Sequence, residues 1–311
     1  MANSAAPDAR QQHMNGACFG FAPASNLTFE YLRAGGGDAL EIAEHDGGGE
    51  DGGGALVNEW TPIPNRRSWA RLYDDDGGYR LWIEGGGSFH IDPRIPRIEI
   101  PVGAESPVRR EERLWGIPAL LCFLARADHA LHAAAVEVDG TAILVAAPGY
   151  SGKTTLAAGF AAAGHRVLSE DVSCLRLSSP TTLVPGPAML RVRHDIAGRI
   201  HLPGASEVAV GDDRTHYSLD RAHRGDCTPL PVRALVLLRP ADRDITLSRV
   251  AVGDSLRELW PLSFRLPTLE DRARCFEGVT ALADTVPVWN LHRPLRLDLL
   301  PEVVARVAAD V

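Results

Sequence analysis

Residues 147–155 read Ala-Pro-Gly-Tyr-Ser-Gly-Lys-Thr-Thr, a spacing suited to phosphate chemistry. A loop of this kind turns successive backbone N–H groups inward, and the following helix adds the positive end of its dipole. Gly149 and Gly152 let a phosphate approach closely, while Ala147 stands where the pattern usually has its first glycine. Lys153 would reach the outer phosphates and Thr154 would ligate Mg²⁺, with Ser151 and Thr155 completing the nucleotide-contacting set. Tyr150 serves either as a spacer or as a packing surface for nucleotide or acceptor. The ligands implied are ATP and Mg²⁺.

Lys153 is the one lysine among 32 basic residues, and that excludes competitors. A GTPase reads guanine with an Asn-Lys-x-Asp motif, and no lysine is left to supply it. A eukaryotic-type protein kinase needs a strand lysine and an His-Arg-Asp loop, and both are missing. The transport-ATPase signature is also absent.

Glu170 and Asp171 follow a short apolar run where a magnesium-binding acid commonly sits. Neighbours on a strand point to opposite sides, so the two acids cannot serve identically unless the strand has ended before them. The expected division makes Asp171 the magnesium-side acid and Glu170 the base for an acceptor hydroxyl. Arg191, Arg193 and His194 form a basic cluster that could hold phosphate oxygens or an acidic peptide end, or could be surface residues of an edge strand. Arg214, His216 and Tyr217 are open in the same way. His129 and His165 read as structural.

The elements that must position these residues are legible in outline. Two apolar runs, Ala133–Val138 and Thr141–Ala146, flank Asp139-Gly140 and predict a hairpin, so the loop strand pairs antiparallel with its predecessor in a mixed sheet. A helix from Lys153 to about Ala163 stops at Gly164. Val167–Leu168 begins a strand, expected beside the loop strand. Ala234–Leu238 and Ile245–Val250 read as a hairpin, and Thr268 caps a helix to about Ala283 before a last helix, Glu302–Val311. Upstream, residues 1–26 read as loose, Leu27–Leu32 as a strand, and 35–54 as an acidic glycine-rich loop. Ala70–Tyr73, Tyr79–Glu84, Ser88–Ile91 and Arg97–Val102 form a β-meander, and Glu111–Ala127 a helix kinked or split at Pro118. The division expected is a β-rich N-terminal domain over 27–107 and an α/β domain over 108–311.

The run from Ala130 to Val172, with His132, the phosphate loop, Gly164-His165-Arg166 and Glu170-Asp171, resembles the catalytic core of HPr kinase/phosphorylase. Weaker likeness continues through Gly186–Asp195, Pro229–Pro240 and Val286–Val304, so it spans roughly residues 112–311. It is closer to the HPr-kinase-like branch beside peptide natural-product genes, lasso-peptide kinases included. The fold this implies is α/β, a mixed-sheet P-loop kinase core of the HPr kinase and PEP-carboxykinase-like type. The resemblance places His132 near the transferred phosphoryl group and makes the acceptor a Ser or Thr hydroxyl of a peptide or protein. Two rivals stand beside it: a small-molecule kinase with a sugar or natural-product alcohol as acceptor, and a nucleotide-gated peptide-binding module. The chain departs from the family in having Glu-Asp for the usual Asp-Asp, and in lacking the glycine-rich signature loop. Phosphorylase activity and hexameric assembly are therefore not implied, and self-association stays open.

Composition agrees with a nucleotide enzyme. The net charge of −8 is concentrated in 34–65, where Asp38, Glu41, Glu44, Asp46, Glu50, Asp51 and Glu59 meet no Lys or Arg. The nearly neutral remainder disfavours a nucleic-acid partner. The longest apolar stretch, Ile117–Ala125, is too short to span a membrane. No signal-like start is visible, and five cysteines without a close pair fit a reduced cytoplasm.

Overall fold

The computed structural model describes residues 16–46, 53–61, 69–103, 105–147, 151–211 and 213–311. It is a mixed α/β structure, and among the described residues no helix is long and apolar enough to cross a membrane.

A nine-stranded mixed sheet carries the functional residues. Thr141–Ala146 pairs antiparallel with Ala133–Val138 and parallel with Leu230–Pro240. The turn between the first two has Asp139 at φ 49° and Gly140 at φ 73°, the two left-handed conformers that an Asp-Gly hairpin turn requires. Alternation buries both faces. Ala134, Val136, Ile143 and Val145 pack towards helices Lys153–Ala162 and Leu300–Asp310. Ala133, Ala135, Ala142 and Leu144 pack towards helix Leu269–Thr285. Two-sided burial is why these strands read as continuous apolar runs, and each buried Leu, Ile or Val contributes about 1.5–3 kcal/mol. Thr268 caps the Leu269–Thr285 helix by accepting from the Asp271 N–H at 3.1 Å, as expected.

A second, seven-stranded sheet runs in the order 21–24, 38–45, 97–101, 87–92, 78–83, 70–75, 56–60. Its buried residues, among them Leu72, Leu81, Phe89 and Ile98, share a core with Leu114, Leu120 and Phe123 of the helices Pro107–Leu114 and Ile117–Ala125. The helical stretch expected to kink or split at Pro118 is split just before it, at Trp115-Gly116, with Pro118 in the first turn of the second helix. A three-stranded sheet of 189–193, 214–219 and 205–210 covers the outer side of helix Lys153–Ala162, sharing its core through Leu190, Val192 and Leu219.

Several expectations are corrected. Leu27–Leu32 is no strand: the N–H groups of Glu30 and Tyr31 donate to the Glu111 carboxylate at 2.6 and 3.0 Å, so a side chain replaces a ladder partner. Within 35–54, Asp38–His45 is a strand, parallel to both Phe21–Ala24 and Arg97–Pro101. Leu40 and Ile42 enter the core while the intervening acids face outward, and the flanking glycines hide that alternation. Residues 16–24 are built into sheets, with Phe19 and Phe21 fully buried. The strands Leu230–Pro240 and Thr246–Arg249 are not a hairpin, because Val288–Arg293 lies between them. Val167–Ser169 pairs with Ala133–Val138, so the hairpin partner separates it from the loop strand.

Arg33 ties the N-terminal segment to the strand that leads into Glu170. Its buried guanidinium donates to the carbonyls of Gly186 (2.7 Å), Val167 (2.7 Å) and Leu168 (3.2 Å), and to that of Arg224. Burial lowers its pKa to about 10, which leaves it charged at neutral pH. Arg33→Met should cost about 3 kcal/mol in urea unfolding, because several buried acceptors lose a charged donor at once.

His129 is buried with Nε2 3.0 Å from Ser263 Oγ. Burial holds its imidazole down at about 4, from an ordinary 6.5. The unfolded chain takes up this proton near 6.5 and the folded chain only near 4. This stabilising contribution is complete above pH 6.5 and falls as the pH drops towards 4, by about 3 kcal/mol. Equilibrium unfolding from pH 7 to 4 should show that loss, and His129→Gln should flatten it.

Candidate functional site

The loop strand ends at Ala146 and helix Lys153–Ala162 begins behind Gly152, which sits at φ 83° with no side-chain cap. Glycine is required there twice over. The φ is left-handed, and a Cβ would stand 2.5 Å from Arg293 Nη2. Arg293 ends strand Val288–Arg293 and is 3% exposed. Its Nη2 donates to the Gly152 carbonyl at 3.2 Å and towards that of Ser151 at 3.4 Å. Burial lowers its pKa, and its Nε has no hydrogen-bond partner among the described residues. Gly149 and Tyr150 lie outside the described residues.

Lys153 is buried, and its Nζ donates to His132 Nε2 at 2.5 Å, with the Ala147 carbonyl 3.5 Å away. An ammonium can only donate, so Nε2 accepts and the ring proton belongs on Nδ1. Nδ1 faces Asp171 Oδ1 at 3.5 Å. The result is a chain of polar groups running Lys153, His132, Asp171. Burial lowers His132, with Asp171 pulling the other way. Burial likewise lowers Lys153, opposed by Asp171 and Glu170.

The paired acids lie just past strand Val167–Ser169 and face different surroundings. Glu170 is 2% exposed, accepts from Thr154 Oγ1 at 3.0 Å and from Arg191 Nε at 2.7 Å, and has Arg214 Nη1 at 3.8 Å. The Asp171 side chain is 46% exposed, with Arg191 Nη2 at 3.8 Å. Burial would raise the Asp171 carboxyl, but the charges of Arg191, Lys153 and Arg214 and the neighbouring His132 outweigh it and hold it below its ordinary value. Burial would lower Arg191, but Glu170 and Asp171 hold it well above its usual value.

Lys153, Thr154, His132, Glu170, Asp171 and Arg191 therefore meet. Arg193 does not join them: it is half exposed and pairs with Asp195 at 3.0 Å on the cleft rim. Ala147 is buried beneath the loop, while Ser151 and Thr155 line the cleft. Arg214, cross-strand from Arg193, donates to the Arg191 carbonyl at 3.2 Å. His216, cross-strand from Arg191, is buried with Nδ1 2.7 Å from Glu112 Oε1. Glu112 also accepts from Tyr31 Oη at 2.9 Å and Arg109 Nη1 at 2.8 Å. Sequence reasoning missed Arg293 and Glu112. Glu112 did leave a signal, since two acids next to a buried Leu-Trp pair must find partners. His165 packs edge-on against Phe160, the structural role expected.

Two cavities meet here. One, of about 420 Å³, is lined by Ser151–Thr155, Arg193, Arg214 and Arg293. The other, of about 380 Å³, is walled by tryptophans of the seven-stranded sheet and by the helices 107–114 and 117–125. Among the described residues they share only His132 and Asp171. The first suits a polyphosphate: it has a cation, an uncapped helix start and a buried guanidinium with an unspent donor. Thr154, Glu170 and Asp171 supply oxygen ligands of the kind Mg²⁺ prefers, and Mg²⁺ is commonly held by one or two carboxylates together with substrate phosphates.

No family model matches the chain, and no curated protein matches it. Among solved structures it is similar to the Hpr(Ser) kinase/phosphatase from Coxiella burnetii, at 14% identity and a TM-score of 0.30, over 57% of this chain and 94% of that one.

Proposed function

We propose that the chain is an ATP-dependent kinase transferring the γ-phosphoryl group to a hydroxyl, with a peptide or protein Ser/Thr as the favoured acceptor and a small alcohol as the alternative. The observation that carries this is the placement of Asp171 and His132 between a phosphate-suited cleft and a second cavity. Lys153 and Arg293 would neutralise and orient the phosphates, with the helix start supporting them. Mg²⁺, when bound, would screen the charge of the phosphates and of the leaving diphosphate.

The two acids take roles opposite to those expected from sequence. Both Glu170 oxygens are already engaged, by Thr154 and Arg191, so it is poorly placed to accept an incoming proton. It acts instead by fixing the Thr154 hydroxyl on the magnesium side. Asp171 faces both cavities and keeps its carboxylate ionised. It orients the acceptor hydroxyl and takes its proton as the new O–P bond forms. A carboxylate held this low is a weak base, which suits a loose transition state in which the proton leaves late. His132, fixed by Lys153, holds Asp171 in place.

Asp171→Asn should retain nucleotide affinity and lose about 10²–10⁴-fold in turnover, whereas Glu170→Gln should shift the magnesium dependence of nucleotide binding. Titration with a fluorescent ATP analogue and assay of transfer separate the two. Near-normal turnover in Asp171→Asn, with Glu170→Gln inactive at saturating Mg²⁺–ATP, would restore the opposite division.

Lys153→Ala should abolish nucleotide binding in a folded protein. Because Lys153 is the only lysine, bound ATP should protect the chain from amine labelling everywhere except at the terminal amine. Mass spectrometry showing Lys153 labelled equally with and without ATP would defeat the nucleotide reading.

A further inference from the structure

We infer that the cavity of about 380 Å³ is the acceptor subsite, and that it takes a neutral aromatic or bulky aliphatic group attached to, or next to, the reacting hydroxyl. The inference rests on the kinase reading above and adds the acceptor's chemistry to it.

Position comes first. Among the described residues the cavity touches the nucleotide cleft only through His132 and Asp171, so a group seated in it places a neighbouring hydroxyl at Asp171 on the side away from Lys153. The volume is in the range of small-ligand pockets. Its wall is the second observation. Trp60, Trp69, Trp115, Ile117, Leu120 and Phe264 line it, with Trp60 and Phe264 stacked at 6.0 Å. Trp60 ends the edge strand of the seven-stranded sheet, Trp69 precedes the next strand, Trp115 joins the two helices, Ile117 and Leu120 are on the second helix, and Phe264 lies in the segment before helix Leu269–Thr285.

Charge is the third. Among the described residues, every charged wall residue other than Asp171 is committed to a close partner. Arg109 pairs with Glu112 at 2.8 Å, Arg113 with Glu105 at 2.7 Å and Arg191 with Glu170 at 2.7 Å. An anionic occupant would have to break one of these pairs or be buried unpaired, and either is costly; a cationic one would take up Asp171, the carboxylate that the acceptor hydroxyl needs. A neutral apolar occupant meets aromatic faces with no such penalty. In the reaction, the seated acceptor's oxygen bonds to the γ-phosphorus, the bond to the leaving ADP breaks, and the hydroxyl proton passes to Asp171.

Two acceptors matched except for one side chain test this: N-acetyl-phenylalanyl-serine amide and N-acetyl-glycyl-serine amide, each with Mg²⁺–ATP and the full chain. The phenylalanyl form should be preferred at least tenfold in kcat/KM. An apolar small alcohol, 2-phenylethanol against ethanol, tells whether a free alcohol suffices or a peptide is needed. Binding is read apart from turnover by saturation-transfer NMR on 2-phenylethanol. The signal should be present in wild type and in Lys153→Ala, and lost in Ile117→Trp, which fills the cavity while leaving nucleotide affinity unchanged. Trp60→Ala, on an edge strand, is the second variant should Ile117→Trp fail to fold, and it should weaken the signal at least tenfold. No saturation transfer in wild type, transfer unchanged by both wall variants, or equal use of the two peptides with nucleotide binding intact would overturn the inference. Loss of nucleotide binding alone would count against the kinase reading and leave the cavity signal standing.

Discussion

A carboxylate buried at 2% exposure is the constraint around which the site is assembled. Glu170 sits at the end of a sheet strand where water cannot solvate it, so its charge must be answered by fixed donors. Arg191 and Thr154 supply them directly, and Arg214 stands behind. Those residues come from different elements: the two arginines from the three-stranded sheet, the threonine from the first turn of the helix behind the phosphate loop. Satisfying one charge therefore docks three elements in a fixed register. It also aligns Asp171, the next residue, towards the cleft.

The N-terminal segment serves the same end from the other side. Arg33 holds the carbonyls of Val167 and Leu168, immediately before the acids. Tyr31, Glu112, His216 and Arg109 form a buried polar network that meets the three-stranded sheet opposite Arg191. Both Glu112 oxygens are engaged there, and although burial would raise its carboxyl, the His216 contact and neighbouring arginines hold it low. Glu111, one residue earlier, lacks such a cation and burial pushes it up to about 7, even with three N–H donors around it. Adjacent acids on one helix thus differ because only one meets positive charge. Residues upstream of the expected domain start are part of the support for the site.

The loop-strand hairpin, its helix and the meander were legible because local rules and burial agree in them. Asp139-Gly140 specifies its turn, and Ala133–Val138 and Thr141–Ala146 are apolar on both faces because both faces are covered. What was hidden is non-local. Nothing in Leu27–Leu32 announces that its N–H groups bond to Glu111 some 80 residues away. Nor does the sequence of Thr246–Arg249 reveal that Val288–Arg293 intervenes. Arg293 looked like one arginine among many, and its place under Gly152 exists only once that parallel strand is laid down.

The acid pair shows the same boundary at the scale of two residues. Strand alternation would turn Glu170 and Asp171 different ways; they do face different ways, although the strand has ended at Ser169. Which one faces inward depends on where the arginines lie, and those belong to strands further along the chain, Arg191 to Met189–Arg193 and Arg214 to Arg214–Leu219. The longer side chain is the one turned inward. It spans from Thr154 to Arg191 with one oxygen for each. The shorter Asp171 stays at the junction of the two cavities, held by longer contacts of 3.5 Å to His132 and 3.8 Å to Arg191. Tight pairing at Glu170 and loose pairing at Asp171 are what a fixed anchor and a proton acceptor respectively need. A base whose oxygens were saturated at 2.7 Å would first have to break a buried ion pair. On the proposed division, the Glu-for-Asp difference at position 170 lengthens the anchor and leaves unchanged the carboxylate proposed as the base.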